Sequence, residues 1–475
     1  MSAAGLGTEA RAAAVERAVL DRISPPPEML ARVEEVVRHL VARAETEARE
    51  RAIPLRRCLV AGSAARGTFL RDRVDLDFFL LFPAELDRAS LERHGLALGR
   101  ALLHAPETRY AEHPYLRGEF EGFAVDAVPG YAIDDPRAPK TAVDRTPFHQ
   151  AYLSAHQTPE SVGQVRLAKQ FLRAHGLYGS EARTGGFSGY LVELLILRYG
   201  SLRGLLIEAR RWKVPVRLES NPGAAPTVPD DVALVLDDPV DPHRNVASAL
   251  SRRNLALFVL SAARYLVDPS DSAFELRPES TLRLAAARRA VAERGTHVLA
   301  VGLPRPALVD DILYPQLRKA ERAVVAEAER LGFRPFASSS AAGDGRLLLL
   351  LELAHRREPL VRSHDGPPVG VDRAEEFLTK WPAGHPEVLQ GPYVNDDGRL
   401  VVEVRRRERE LEPLLAASLP NLALGRDLRA ALDASVWVRP LDELEESPEL
   451  VRALAGLLTK RLPWDDAASL RTAER

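Results

Sequence analysis

Two aspartates stand two apart in the run "RVDLDFFLLFP", residues 73–83, which is otherwise strongly apolar. Ionised carboxylates are costly in such a setting unless something binds them. On a strand, residues two apart share a face, so Asp75 and Asp77 project together while Val74, Leu76 and Phe78 fill the other side. Paired hard oxygen ligands of this kind suit divalent cations, and Mg2+ in particular, which retains several waters. Asp126, in "FAVDAVPGY", repeats the pattern, with Val125 and Ala127 on the opposite face. If its strand lies beside the first, three carboxylates converge. A surface pair of aspartates flanking a buried leucine gives the same local pattern, so Asp-x-Asp alone decides little.

The preceding segment narrows the choice. "LRRCLVAGS" reads as a strand ending at Gly62-Ser63, and "AARGT" opens a helix. Backbone N–H groups at such a turn favour phosphate. Gly62 permits close approach, Ser63 adds a hydroxyl and Arg66 a positive charge. No Gly-Lys-Ser/Thr follows, so the turn is not a Walker loop.

The chain of 475 residues is too long for one core. Residues 1–147 read as a mixed α+β unit whose strands include "GEFEGFAVDAVPGY" as a single strand. Residues 148–268 are mostly helical. Within them a Pro/Gly-rich loop, 218–231, leads to the strand "VALVLDDP", the turn "VDPHRN", and a helix capped at Asn245. Residues 269–475 alternate strands ("HVLAVGL", "RPFASSSA", "RLLLLLELA", "RLVVEVRRRE") with the amphipathic helix "DDILYPQLRKAERAVVAEAERLG", a rhythm that suggests a ferredoxin-like α+β body with a helical tail. The aromatic signature of RNA-stacking sheets is absent.

The one cysteine, Cys58, excludes an intramolecular disulfide and a cysteine-based zinc site. The longest leucine run, residues 347–351, is far short of a membrane span, and the N-terminus lacks a signal peptide's apolar core. A cytoplasmic protein is the expectation. The net charge of −2 argues against a wholly basic nucleic-acid coat but leaves room for a local basic groove. Arg210, Arg211 and Lys213, and Arg405, Arg406 and Arg407, form basic clusters that serve as patches for an anionic partner or as solvated faces.

Gly62-Ser63, eleven intervening residues and then Asp75-x-Asp77 resemble the nucleotidyltransferase superfamily of DNA polymerase β, poly(A) polymerases and CCA-adding enzymes. "AVDRTPFHQAY", "LYGSEARTGGFSGYLVELLI", "DPVDPHRNVASAL", "DDILYPQLRKAE" and "GPYVNDDGRLVVEV" resemble the archaeal, class I CCA-adding tRNA nucleotidyltransferases. The resemblance runs from about residue 20 to the tail. It implies a polymerase-β-like head, a helical neck, and a body and tail that meet the tRNA acceptor arm. It further implies CTP and ATP as substrates, magnesium at Asp75, Asp77 and Asp126 with Asp126 acting on the primer hydroxyl, and a homodimer.

Ser63 and Arg66 then match triphosphate contacts, and His149, Lys169 and Tyr178 further nucleotide contacts. On the residues alone, His149 reads equally as a cap or core histidine, Lys169 as a snorkelling surface lysine, and Tyr178 as an interface aromatic. Arg244 matches a residue that selects CTP and ATP, or forms a salt bridge to Asp241 or Asp238. The rival readings are another template-independent nucleotidyltransferase (of the oligoadenylate-synthase or poly(A)-polymerase kind) and an inactive RNA-binding relative.

Overall fold

The structure, a computed structural model, describes residues 3–110, 113–218, 226–229 and 231–465. Most of the Pro/Gly-rich loop read over 218–231, and the end of the tail, lie outside these residues. The chain divides into two compact units. One holds the residues up to Pro278, with Val309–Asp311 and Arg461 onward; the other holds Glu279–Leu308 and Ile312–Lys460.

In the first unit, helices α1 (Ala3–Ile23) and α2 (Pro27–Glu50) precede β1 (Arg57–Ala61), the short α3 (Gly62–Arg66), β2 (Asp75–Pro83), α4 (Arg88–Leu102), β3 (His104–Tyr110), β4 (Pro114–Phe120) and β5 (Phe123–Ala132). These strands form one sheet in the order β1-β2-β5-β4-β3. Leu76, Phe78, Leu80 and Phe82 alternate along β2, are all fully buried, and meet Val36 and Leu40 of α2 and Leu91 and Leu98 of α4. The two helices therefore cover one face of the sheet and leave Asp75 and Asp77 on the other. "GEFEGFAVDAVPGY" is not one strand, as its pattern suggests, but a hairpin. Glu121 and Gly122 take φ of +47° and +86°, both positive as the tightest hairpin turns require. β3, unread in the sequence, is the exposed edge strand.

Helices α5 (Thr146–His156), α6 (Pro159–Ala174), α7 (Gly189–Tyr199) and α8 (Leu202–Ala209) follow. After them come the short strands β6 (Val216–Arg217), β7 (Leu234–Val235), β8 (Asp237–Asp238) and β9 (Asp241–Asn245), and helix α9 (Arg252–Val267). Phe171, Phe187 and Phe258 centre their core, which also takes in Val19 and Ile23 of α1. "VDPHRN" is thus mostly strand rather than turn, and Asn245 caps no helix. Its Oδ1 accepts from the backbone N–H of Leu236 and Ala247 at 3.1 and 3.0 Å, locking the β8–β9 loop. The cap of α9 is Ser251, six residues later, accepting from the Asn254 N–H at 3.2 Å.

The second unit contains α10 (Leu284–Arg294), β10 (His297–Pro304), most of α11 (Asp310–Arg330), β11 (Pro335–Ala342) and β12 (Arg346–Leu353). β13 (Val361–Pro368), α12 (Arg373–Lys380), β14 (Val388–Val394), β15 (Arg399–Arg405), α13 (Leu411–Ser418), α14 (Arg426–Ala430), β16 (Trp437–Pro440) and α15 (Pro448–Leu458) complete it. The main sheet runs β11-β12-β10-β16. Counted along the chain this is the order 4-1-3-2 of a ferredoxin-like sheet, as the strand rhythm suggests. The continuous leucines of β12 have a simple cause. Leu347, Leu349 and Leu351 pack beneath α11, while Leu348 and Leu350 face α10 and α15, so both faces are buried and alternation disappears. A second sheet, β13-β15-β14, covers Phe377 of α12 with Val402 and Val404.

Candidate active site

β2 and β5 run parallel in a register that sets Asp77 beside Asp126 and Asp75 beside Ala124. Neighbours in register share a face, so all three carboxylates project from the side left open by α2 and α4. β1 places Ala61 beside Asp77, which brings Gly62 over that carboxylate. Gly62 has φ +71°, and a Cβ there would lie 2.3 Å from Asp77 Oδ2. Backbone conformation and the aspartate both exclude a side chain at this position.

The three charges do not share one environment. Burial, then repulsion from Asp126 and Asp75, pushes Asp77 up to about 6. Burial likewise raises Asp126, whose Oδ1 is buried without a hydrogen-bond partner. Burial also acts to raise Asp75, but Arg73 and Arg117 outweigh it and hold the group below the ordinary range. Arg117, beside Asp126 on β4, donates from Nη1 to Asp126 Oδ2 at 3.0 Å and from Nη2 to Asp75 Oδ1 at 2.7 Å. Arg73 Nε donates to Asp75 Oδ2 at 3.1 Å. Among the described residues, no three acidic, histidine or cysteine side chains are arranged to enclose an ion.

Next to this cluster lies a second carboxylate centre, Glu193 on α7, which is 1% exposed. Arg66 meets it with Nε at 2.7 Å and Nη2 at 3.1 Å, and gives Nη1 to Gln150. Lys169 Nζ lies 3.4 Å from Glu193 and 3.1 Å from both oxygens of Thr68. Thr68 Oγ1 and Gln157 Nε2 also donate to Glu193, each at 3.0 Å. Burial acts to raise Glu193, yet Lys169 and Arg66 hold it below its ordinary value. Lys169 is only 3% exposed and is lowered by burial, so it is no snorkelling surface lysine. The guanidinium of Arg66 is turned to Glu193 rather than held free for a triphosphate.

The remaining candidates gather on Asp238, which is fully buried. Its Oδ2 meets His149 Nε2 and Arg244 Nη1, each at 2.8 Å. Tyr190 Oη donates to its Oδ1 at 2.9 Å, and the Tyr190 ring stacks on His149 at 4.1 Å between centroids. Of the two salt bridges open to Arg244, the one to Asp238 forms; Asp241 pairs with Arg145 instead, at 2.7 Å. Asp238 stays below its usual range because His149, the backbone N–H of Val240 and Arg244 outweigh its burial. Ser63 is half-buried on α3. Tyr178 is half-buried too, its hydroxyl pushed up to about 12 by burial and by Glu193.

Arg117, Glu193, Asp238 and Tyr190 were not singled out from sequence as site residues. Glu193 carried a signal, since it is the one acid in the apolar helix "GYLVELLILRY" and invites the same question as Asp75 and Asp77. Arg117 carried none, because its role depends on which strands become neighbours. The basic patches also divide. Arg210, Arg211 and Lys213 are exposed, and so are Arg405 and Arg407, the latter paired with Glu387; only Arg406 is half-buried, donating to Leu331 O at 3.1 Å.

A Gly-Ser turn, two aspartates on one strand and a third in register on the parallel neighbour define a nucleotidyltransferase of the polymerase-β class. Residues 42–149 match the model of a nucleotidyltransferase domain, 163–275 that of the tRNA nucleotidyltransferase second domain, and 294–439 that of the CCA-adding enzyme C-terminal domain. The chain is 39% identical over 437 residues to the CCA-adding enzyme of Haloarcula marismortui, covering 88% of this chain and 92% of that one. It is 40% identical to that of Halobacterium salinarum, covering 90% and 94%. With the enzyme of Methanosarcina acetivorans the identity is 36%, over 89% and 92%. The chain belongs to the family of CCA-adding enzymes. No helix among the described residues is long and apolar enough to cross a membrane.

Proposed function

We propose that this protein builds and repairs the 3′-terminal CCA of tRNA without a nucleic-acid template, from CTP and ATP, releasing pyrophosphate. The observation that carries the reading is the register of Asp77 with Asp126 beneath a glycine turn, in a chain matched to its family over most of its length. The match over 294–439 favours this over a poly(A)-polymerase-like or oligoadenylate-synthase-like enzyme, and the intact carboxylates speak against an inactive relative.

The residues fit a divalent metal. Asp77 is raised by burial and by its neighbours' charge, and the buried Asp126 Oδ1 has no partner; a cation relieves both. Asp75, Asp77 and Asp126 would hold it, and their hard oxygens favour Mg2+. Such an ion, when bound, stabilises charge on the triphosphate and leaving pyrophosphate and acidifies the 3′-hydroxyl. Asp126 would act on that hydroxyl as its general base. Gly62 and Ser63 admit the phosphates closely, and Arg66 and Lys169, anchored on Glu193, with Tyr178 beside them, shape the neighbouring nucleotide wall.

Asp238 holds His149 and Arg244 for the base. Arg244 spends Nη1 on Asp238 and keeps the rest of its fork as donors, which suit cytosine N3 and adenine N1 and oppose the N–H of uracil and guanine. We read residues 1–147 as the catalytic head, 148–268 as the base-reading neck, and 269–475 as the body and tail that take the acceptor arm of tRNA, in a cytoplasmic homodimer. The test is incubation of tRNA lacking one, two or three terminal nucleotides with each nucleoside triphosphate. CTP should extend the two shorter substrates, ATP should complete the third, and UTP and GTP should be refused. Open-ended adenylation would instead assign a poly(A)-type activity.

A further inference from the structure

Arg117 faces the carboxylates from the strand next to Asp126. Because β4 pairs with β5 and β5 with β2, one guanidinium reaches over β5 to join two of the three carboxylates. Its two terminal nitrogens divide between Asp126 Oδ2 and Asp75 Oδ1. With Arg73 on Asp75 Oδ2, both oxygens of Asp75 are occupied, while Asp126 keeps one oxygen without a partner. A cation bridging Asp75 and Asp77 needs an oxygen that an arginine now holds. Arg73 gives way readily, since its side chain is 70% exposed and makes a single contact. The Arg117 side chain is 37% exposed and makes two. A fixed planar fork can join two carboxylates in this way, whereas an ammonium acts as a point charge.

We propose that Arg117 is a resident counter-cation of the metal-free site. It holds Asp75 and Asp126 in place against their mutual repulsion, and it releases at least one of them when a divalent cation binds. It is a positioning residue that competes with the metal, and the inference rests on the metal-binding reading above.

The test is titration of the full chain with Mn2+, with free ion followed by electron paramagnetic resonance, for wild type, Arg117→Gln, Arg117→Lys and Asp77→Ala. Charge-assisted bidentate contacts are strong enough that their loss should tighten Mn2+ binding by roughly tenfold in Arg117→Gln. The melting temperature of that variant in chelator should fall below wild type, and Mn2+ should raise it by more than it raises wild type. Arg117→Lys keeps the charge but cannot bridge, so its affinity should lie between the two; it carries the test alone if Arg117→Gln does not fold. Equal or weaker Mn2+ binding by the arginine variants, alongside wild-type binding that Asp77→Ala abolishes, overturns the inference and leaves the metal reading standing. Wild type without Mn2+ uptake that depends on Asp77 overturns both.

Discussion

Asp77 is half-buried and Glu193 fully buried, and the two acids behave in opposite ways. Asp77 has like charges for neighbours and is pushed up to about 6. The folded protein therefore binds its proton more tightly than the unfolded chain, so stability is greater below about pH 4 and is lost as pH rises through 6. Asp77→Asn should abolish nucleotide addition yet stabilise the metal-free protein at pH 7.5 by about 2 kcal/mol, with no gain at pH 4. Urea unfolding in chelator at the two pH values checks this; a variant no more stable at pH 7.5 than wild type would contradict it. Glu193 has two cations for neighbours, so removing its charge has the reverse effect. Glu193→Gln keeps the side-chain shape but leaves Lys169 buried without a counter-charge, and should cost about 3–5 kcal/mol. A loss below about 1 kcal/mol in urea unfolding would show that the pair is not held as described.

At the scale of elements, the boundary before α9 separates two roles that one sequence reading merges. Ser251 caps the helix through a single hydrogen bond, so Ser251→Ala should cost about 1 kcal/mol. Asn245 instead satisfies two backbone N–H groups and donates to Leu234 O at 3.0 Å inside the buried β8–β9 loop. Asn245→Ala strands these groups and should cost about 2–4 kcal/mol. Because this loop carries Asp238 and Arg244, the asparagine variant should also blunt discrimination between CTP and UTP, which the serine variant should leave intact. Unfolding curves and single-turnover addition on the two proteins decide it; equal costs would return Asn245 to a capping role.

Across the whole molecule the net charge is only −2, so tRNA affinity must come from local surfaces. Arg210, Arg211 and Lys213 lie exposed together after α8, and on the proposed reading such residues neutralise phosphates and release counterions. Affinity for tRNA should fall roughly tenfold or more between about 50 and 200 mM salt. Replacing the three residues by alanine should make the plot of log affinity against log salt shallower. A plot already flat for wild type would remove RNA as the substrate.

The sequence by itself determined the alternation that buries Leu76, Phe78, Leu80 and Phe82 and turns Asp75 and Asp77 to the other face, because that periodicity is local to one strand. It also determined the glycine before Ser63 and the strand–helix rhythm of the ferredoxin-like sheet. The pairing of Asp126 with Asp77 was legible only as a condition, since it depends on β5 choosing β2 as its parallel neighbour. Only the tertiary structure decided that Arg117 spans two of the aspartates, that Arg66 and Lys169 meet on Glu193, and that His149, Tyr190 and Arg244 meet on Asp238. Apart from Arg244 and Asp238, six residues apart and already one of two pairs the sequence offers, those groups come from strands and helices far apart in the chain. What brings them together is inter-strand register and the need of each buried charge for a partner, and neither leaves a local pattern to read.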